Sequence, residues 1–152
     1  EHAEARGAEP LARVLDIASG RSRREPGEAA AKARQLWDSI APSGQAGALG
    51  VVSGASGAEP ATREERSFLA GLEAAGHRLA VRGIGGAIGH GMEAQFPAGV
   101  ALAALALSRG GFYPPFEDSG IEALLETPPR RILVTSFGHW RGEGLALLEA
   151  AG

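Results

Sequence analysis

The sequence predicts an α/β layered fold, and three observations carry that expectation. Short apolar runs bounded by glycine, serine and proline alternate with longer stretches whose apolar residues recur every three or four positions, as strands and helices respectively require. The resulting order is strand, helix, strand, helix, strand, buried helix, two strands, which builds layers around a sheet. The last two apolar runs are joined by the short connection from Phe137 to Glu143, so they should pair as antiparallel neighbours.

Taken in order, residues 1–7 are helix-like and stop at Gly7, a residue suited to the left-handed turn after a helix. From Leu11 to Ala18 apolar residues alternate with Arg13 and Asp16, as in a partly exposed strand. The polar stretch from Ser19 to Gly27 is a loop. Its Arg21, Arg23 and Arg24 are either a solvated surface or a place to meet an acidic partner. Gly27 to Ile40 is Ala-rich helix material with Ala33, Leu36, Trp37 and Ile40 on one face, ending at Pro42. Ala46 to Val52 fits a buried strand. After the turn-rich Ser53–Pro60 segment, Ala61 to Ala75 has helical periodicity through Phe68, Leu69 and Leu72, and Thr62 followed by Glu65 fits a capping box. Arg78 to Val81 is a brief strand. Met92 to Arg109 is apolar nearly all round and should be buried on most sides, with Pro97 kinking it or marking where its regular part begins. Tyr113-Pro114-Pro115 is extended, Pro128-Pro129 ends an irregular stretch, and Arg130–Ser136 and Gly144–Ala150 are the final strands.

Composition removes several classes of function. Lys+Arg 15 against Asp+Glu 18 gives a net charge of -3 and a pI near 5.8, which disfavours nucleic acid as a partner because phosphates demand clustered positive charge. The chain is 44% hydrophobic, yet no uninterrupted apolar run reaches about 18 residues, so no membrane span is expected. The absence of cysteine excludes disulfides, thiolate ligands and a cysteine nucleophile among these residues, and is compatible with a cytoplasmic setting. No two histidines have helical i, i+4 spacing and cysteine is absent, so a metal site is not expected; no cofactor is expected either. The first residues lack the apolar core of a signal peptide and read as a chain that starts partway through something larger. Glycine is abundant, 23 of 152 residues, and aromatics are 5%, so backbone shape matters more than bulky packing.

The segment richest in chemical possibility is Gly83–Gly91, with five glycines in nine residues ahead of the apolar helix. Such a backbone approaches other groups closely, and a following helix aims free N–H groups at an anion or developing oxyanion. His90 lies at its end, either as a neutral ring donating one hydrogen bond or as a structural turn residue. Gly89 to Ala94 also matches a loose dinucleotide pattern, but without the strand before it and the acidic residue about 20 positions on that the pattern requires. Between the last strands, Phe137, His139 and Trp140 form a flap over a pocket or fill the sheet end. His2 and His77 read as surface positions, Glu64 and Glu65 as solubilising carboxylates, and Ser53 and Ser56 lack a nucleophile-elbow motif.

The order of Glu1–Ala8, a strand, the turn ending at Pro60, Ile88-Gly89-His90-Gly91, Gly110-Gly111-Phe112-Tyr113-Pro114-Pro115 and Ser136-Phe137-Gly138 resembles the C-terminal portion of the β-ketoacyl-acyl-carrier-protein synthases. The resemblance covers essentially the whole chain. It implies the C-terminal half of a thiolase-like αβαβα layered fold with a mixed sheet, spanning residues 1–152, with the cysteine nucleophile in an N-terminal half outside this chain. Aligned on Pro60, the position of that family's first catalytic histidine falls on Ala55, and that of its lysine, five residues before the second histidine, falls on Gly85. His90 is the one match to a catalytic residue, and the gating loop becomes Phe137, Gly138, His139 and Trp140.

The resemblance therefore implies a noncatalytic, chain-length-factor-like partner of an active synthase in fatty-acid or polyketide biosynthesis. Its implied partners are the N-terminal half of the same fold, a ketosynthase in a homo- or heterodimer, and an acyl carrier protein. Two alternatives stay open: an active divergent condensing enzyme using His90, and a small nucleotide-binding module resting on Gly89–Ala94.

Overall fold

In the computed structural model, which describes residues 4–23, 25–41, 46–116, 120–138 and 142–151, five strands form one sheet. They are β1 (Ala12–Gly20), β2 (Ala48–Ser53), β3 (Arg78–Gly83), β4 (Arg131–Phe137) and β5 (Glu143–Ala150), in the spatial order β1-β5-β4-β2-β3. β2 runs parallel to β3 and β4, while β5 runs antiparallel to β4 and β1. The sheet is therefore mixed, as expected, and its final hairpin pairs Arg131 with Glu149 through to Phe137 with Glu143.

Strand alternation assigns each side chain to a face. On one face Leu49, Val51, Leu133, Leu145 and Leu147 pack with α1 (Glu28–Ile40) and α2 (Ala61–Ala74), through Ala33 and Trp37 of the first and Phe68, Leu69 and Leu72 of the second. On the other, Val52, Ile132, Val134, Ala146 and Leu148 pack with Ala103, Ala106 and Leu107 of a single long helix. A one-turn helix α3 (Gly85–Ile88) precedes that long helix, α4 (Gln95–Ser108). The three layers are thus two helices, a sheet and one helix.

Several expectations are corrected. The long helix begins at Gln95 after a 3-10 turn at Met92–Ala94, so Pro97 sits in its first turn, where no intrahelical N–H bond is lost. Its burial is one-sided: Gln95, Gly99, Ala103, Ala106 and Leu107 are buried, while Ala101 and Leu105 are exposed. Gly99 permits the close approach, since a Cβ there would lie 2.8 Å from Val134 Cγ1. The start of the chain shows a 3-10 turn at Glu4–Arg6, closed by Gly7 at φ 66°.

The capping box does not form. Pro60 caps α2 without a side-chain bond, Thr62 lies inside the helix, and the Glu65 carboxyl turns into the protein. Glu64 and Glu65 are 8% and 0% exposed, so neither is a solubilising surface group. Glu64 instead accepts the Gly27 and Ala30 amides at 2.8 and 3.1 Å, satisfying the N-terminus of the neighbouring helix α1. His77 is half-buried, edge-on to Trp37 with ring centroids 5.4 Å apart. Burial and the Arg34 charge pull its pKa below the ordinary histidine value.

Candidate functional site at the strand ends

The carboxyl ends of β2, β3 and β4, and the start of β5, lie at one end of the sheet, where ligand crevices of α/β proteins form. Three connections meet there: the segment after Ser53, the segment after Gly83, and the turn after Phe137. The first two press on neighbouring backbone. A Cβ built on Gly54 would lie 2.6 Å from the Thr135 carbonyl oxygen and 3.3 Å from Ser136 Cα. A Cβ built on Gly85 would lie 2.6 Å from the Ala55 carbonyl oxygen and 3.3 Å from Ser56 Cα. Ala55 and Gly85, distant in sequence, are therefore neighbours in space, and no side chain fits at Gly85 without moving the segment beneath it.

His90 is exposed, in the connection between α3 and the 3-10 turn. It lies five residues ahead of Gln95, so α4 does not start at His90. The buried Gln95 side chain fixes that approach by accepting the Gly91 amide at 2.9 Å. The dinucleotide-like residues Gly89–Ala94 span this connection and do not link a strand directly to a helix. Phe137 is buried against Phe68, with centroids 6.1 Å apart, and the Gly138 amide bonds the Gly142 carbonyl at 2.9 Å to close the turn. His139 and Trp140 lie outside the described residues, as do His2 and Arg24.

Sequence reading missed three buried ionisable side chains at this end. Glu65 Oε1 lies 2.7 Å from Ser53 Oγ and 2.5 Å from Thr135 Oγ1. Burial pushes its carboxyl above the usual range, against the lowering effect of Thr135, Ser53 and the Gly54 amide. Glu143, 2% exposed, accepts from the Ser22 hydroxyl at 2.9 Å. Arg82, 4% exposed, donates to the carbonyls of Tyr113, Val81 and Ala123 at 2.7, 2.8 and 2.8 Å and lies over the Phe112 ring. Glu122 answers by accepting the Gly83 and Phe116 amides, so charged groups tie Tyr113, Phe116, Glu122 and Ala123 to the end of β3. A signal existed for two of them. Glu65 shares the three- and four-residue spacing of Phe68, Leu69 and Leu72, and Glu143 shares the strand parity of Leu145 and Leu147. A small cleft of about 150 Å³ opens between Pro26, Ala29, Pro60 and Arg63, at the N-termini of α1 and α2.

These layers, with a closed cluster of strand-end loops, define an α/β protein built on a mixed sheet. The particular likeness is to ketosynthases. The chain aligns over 99% of its length with the ishigamide ketosynthase/chain length factor at TM-score 0.75 and 17% identity, covering 41% of that chain. Ketosynthase twelve of the bacillaene polyketide synthase of Bacillus amyloliquefaciens matches at TM-score 0.77 and 16% identity, with 99% of this chain and 32% of that one covered. A type II polyketide synthase acyl-carrier protein in complex with its ketosynthase bound to the hexaketide matches at 0.70 and 15%, over 99% and 41%. At these identities the likeness is one of fold, and the chain spans less than half the length of each. No family model and no curated protein matches the sequence.

Proposed function

We propose that this chain is the C-terminal part of a ketosynthase-like subunit of fatty-acid or polyketide biosynthesis, acting as a noncatalytic, chain-length-factor-like partner of an active β-ketoacyl-carrier-protein synthase. The observation that carries the reading is the contact between Gly85 and Ala55. The family resemblance assigns an ammonium and an imidazole to these positions. Here a hydrogen atom and a methyl group stand there, and the Ala55 carbonyl fills the space in which a side chain at Gly85 would start. Removing one preorganised donor to a developing oxyanion lowers a rate by about 10²–10³, so losing both groups leaves little condensation chemistry.

The uncovered side of α4 supports an N-terminal half of the same fold as the layer that packs there, with an acyl carrier protein and a ketosynthase as further partners in a cytoplasmic setting. The Phe137–Trp140 loop would then bound an acyl tunnel without opening onto a nucleophile of its own. The test uses the complete protein that contains this segment. It should co-purify with an active synthase and show no malonyl-carrier condensation alone; robust condensation by the protein by itself overturns the reading.

A second reading, an active divergent condensing enzyme, is favoured by the exposure of His90 at the strand-end side of the molecule. His90→Ala separates the two. A large fall in turnover supports the enzyme, and unchanged assembly and product length support the partner.

A further inference from the structure

Glu65 sits beneath the closed loops, and its surroundings are unusual for a carboxylate. The side chain is wholly buried, its Oε1 meets the hydroxyls of Ser53 and Thr135 with the Gly54 amide close by, and its buried Oε2 has no hydrogen-bond partner among the described residues. An anion held there would keep an unsatisfied charged oxygen out of water, which is among the more destabilising arrangements in a protein interior. The neutral acid leaves only a carbonyl oxygen bare.

The neighbouring distances also accommodate the neutral form as a directed chain. Ser53 donates to Glu65 Oε1, the Oε1 hydroxyl of the neutral acid donates to Thr135 Oγ1 at 2.5 Å, and the Thr135 hydroxyl donates to the Val52 carbonyl at 3.4 Å. The two hydroxyls in turn accept the loop amides, Ala55 N–H on Ser53 Oγ at 3.1 Å and Gly54 N–H on Thr135 Oγ1 at 3.3 Å. Glu65 is thus the shared anchor of the backbone that presses on Gly85 and on the end of β4.

We propose that Glu65 is a protonated latch, holding the Ser53–Ser56 backbone shut against β4 and Gly85, and that ionisation of its carboxyl releases these loops. The proposal stands apart from the assembly reading above. The groups facing Glu65 are the hydroxyls of Ser53 and Thr135 and the Gly54 amide, and none carries charge. Of the charged groups nearby, Glu64 is turned to the α1 N-terminus, Arg34 of α1 lies over the Phe68 ring, and Glu143 of β5 is held by Ser22.

The sign follows from linkage. Burial raises the carboxyl in the closed state, whereas the open, hydrated group titrates in the ordinary range. The closed state therefore binds its proton more tightly. Closure is full at low pH and is lost as pH rises from the ordinary carboxylate range through the closed-state midpoint. Within that window the amide protection of Gly54 and Ala55, corrected for intrinsic exchange, should fall about tenfold per pH unit and then level off.

The experiment is amide hydrogen exchange across pH on the intact protein, with Val52 and Val134 amides as internal references, together with carbon-13 NMR of labelled glutamate carboxyls. The expected result is a pH-dependent loss of protection confined to the strand-end loops, a Glu65 carboxyl that ionises above the ordinary carboxylate range, and a flat profile in Glu65→Gln. Protection of Gly54 and Ala55 that is indifferent to pH in the unsubstituted protein, a result that needs no variant, overturns the latch. So does a Glu65 carboxyl that ionises in the ordinary range.

Discussion

The two faces of the sheet are built to different degrees of completeness. The α1/α2 face is closed: two helices cover it, Leu72 and Ala33 are wholly buried, and even its carboxylates are engaged by Gly27, Ala30, Ser53 and Thr135. The α4 face has one helix to cover the same sheet. Val14 and Ile17 lie opposite Leu148 and Ala146 in the β1–β5 register and so point to the α4 side, yet they are 46% and 58% exposed, and Leu105 of α4 is 37% exposed. One face is a finished core, whereas the other leaves apolar side chains open to water. Val14, Ile17 and Leu105 are the apolar side chains that this face leaves to water.

The largest effect that sharpens the contrast is expected on the closed face. Leu72→Ala should destabilise the protein by about 2–5 kcal/mol in urea unfolding, the range for deleting a fully buried leucine side chain. A loss under about 1 kcal/mol would mean that the two-helix face is not a finished core. Next is Gly99→Val on the buried line of α4, expected to destabilise by about 1–3 kcal/mol because its first carbon alone would lie 2.8 Å from Val134 Cγ1 and 3.5 Å from Val52 Cγ1. Gly111→Val is the control, since a Cβ there meets nothing within 4 Å.

The closed face was the more legible of the two. Helices α1 and α2 and strands β2, β4 and β5 follow from apolar periodicity because each buries one face along one line. What periodicity cannot resolve is a polar residue that fits two patterns. The three-residue step from Thr62 to Glu65 suits a capping box and also places Glu65 on the apolar line of Phe68 and Leu72. The choice was made by Thr135, 70 residues away, which offers a hydroxyl partner that no local reading contains. The start of α4 was misjudged for a related reason. An all-apolar run carries no boundary signal, and the buried Gln95 that orders its approach looks like any polar residue in sequence. At the candidate site the resemblance pointed to Ala55 and Gly85 one at a time. That they touch is a property of how β2 and β3 lie side by side, which no spacing reveals.

A smaller effect separates the adjacent carboxyls of the closed face. Glu64→Gln should destabilise by about 1 kcal/mol at neutral pH, since it weakens the bonds to the Gly27 and Ala30 amides and removes negative charge from a helix N-terminus. Under the latch proposal Glu65→Gln replaces a protonated acid by a neutral amide of the same shape, so at pH values near the ordinary carboxylate range it should change stability less than Glu64→Gln does. Urea titrations of the two variants side by side check this ordering, and the reverse ordering would mean that Glu65 is held as an anion.

The smallest effect is the one that bears most directly on the open face. Ile17→Ser and Leu105→Ser replace side chains that water already reaches, so each should alter the stability of this chain by no more than about 0.5 kcal/mol. Their consequence should appear in association: light scattering should show less self-association, and capture of any covering layer should weaken, because the apolar area available for burial has shrunk. Stability losses above about 1 kcal/mol in both variants would break the comparison between the faces. They would show that Val14, Ile17 and Leu105 are already packed within the chain, and that the α4 side is as complete as its opposite.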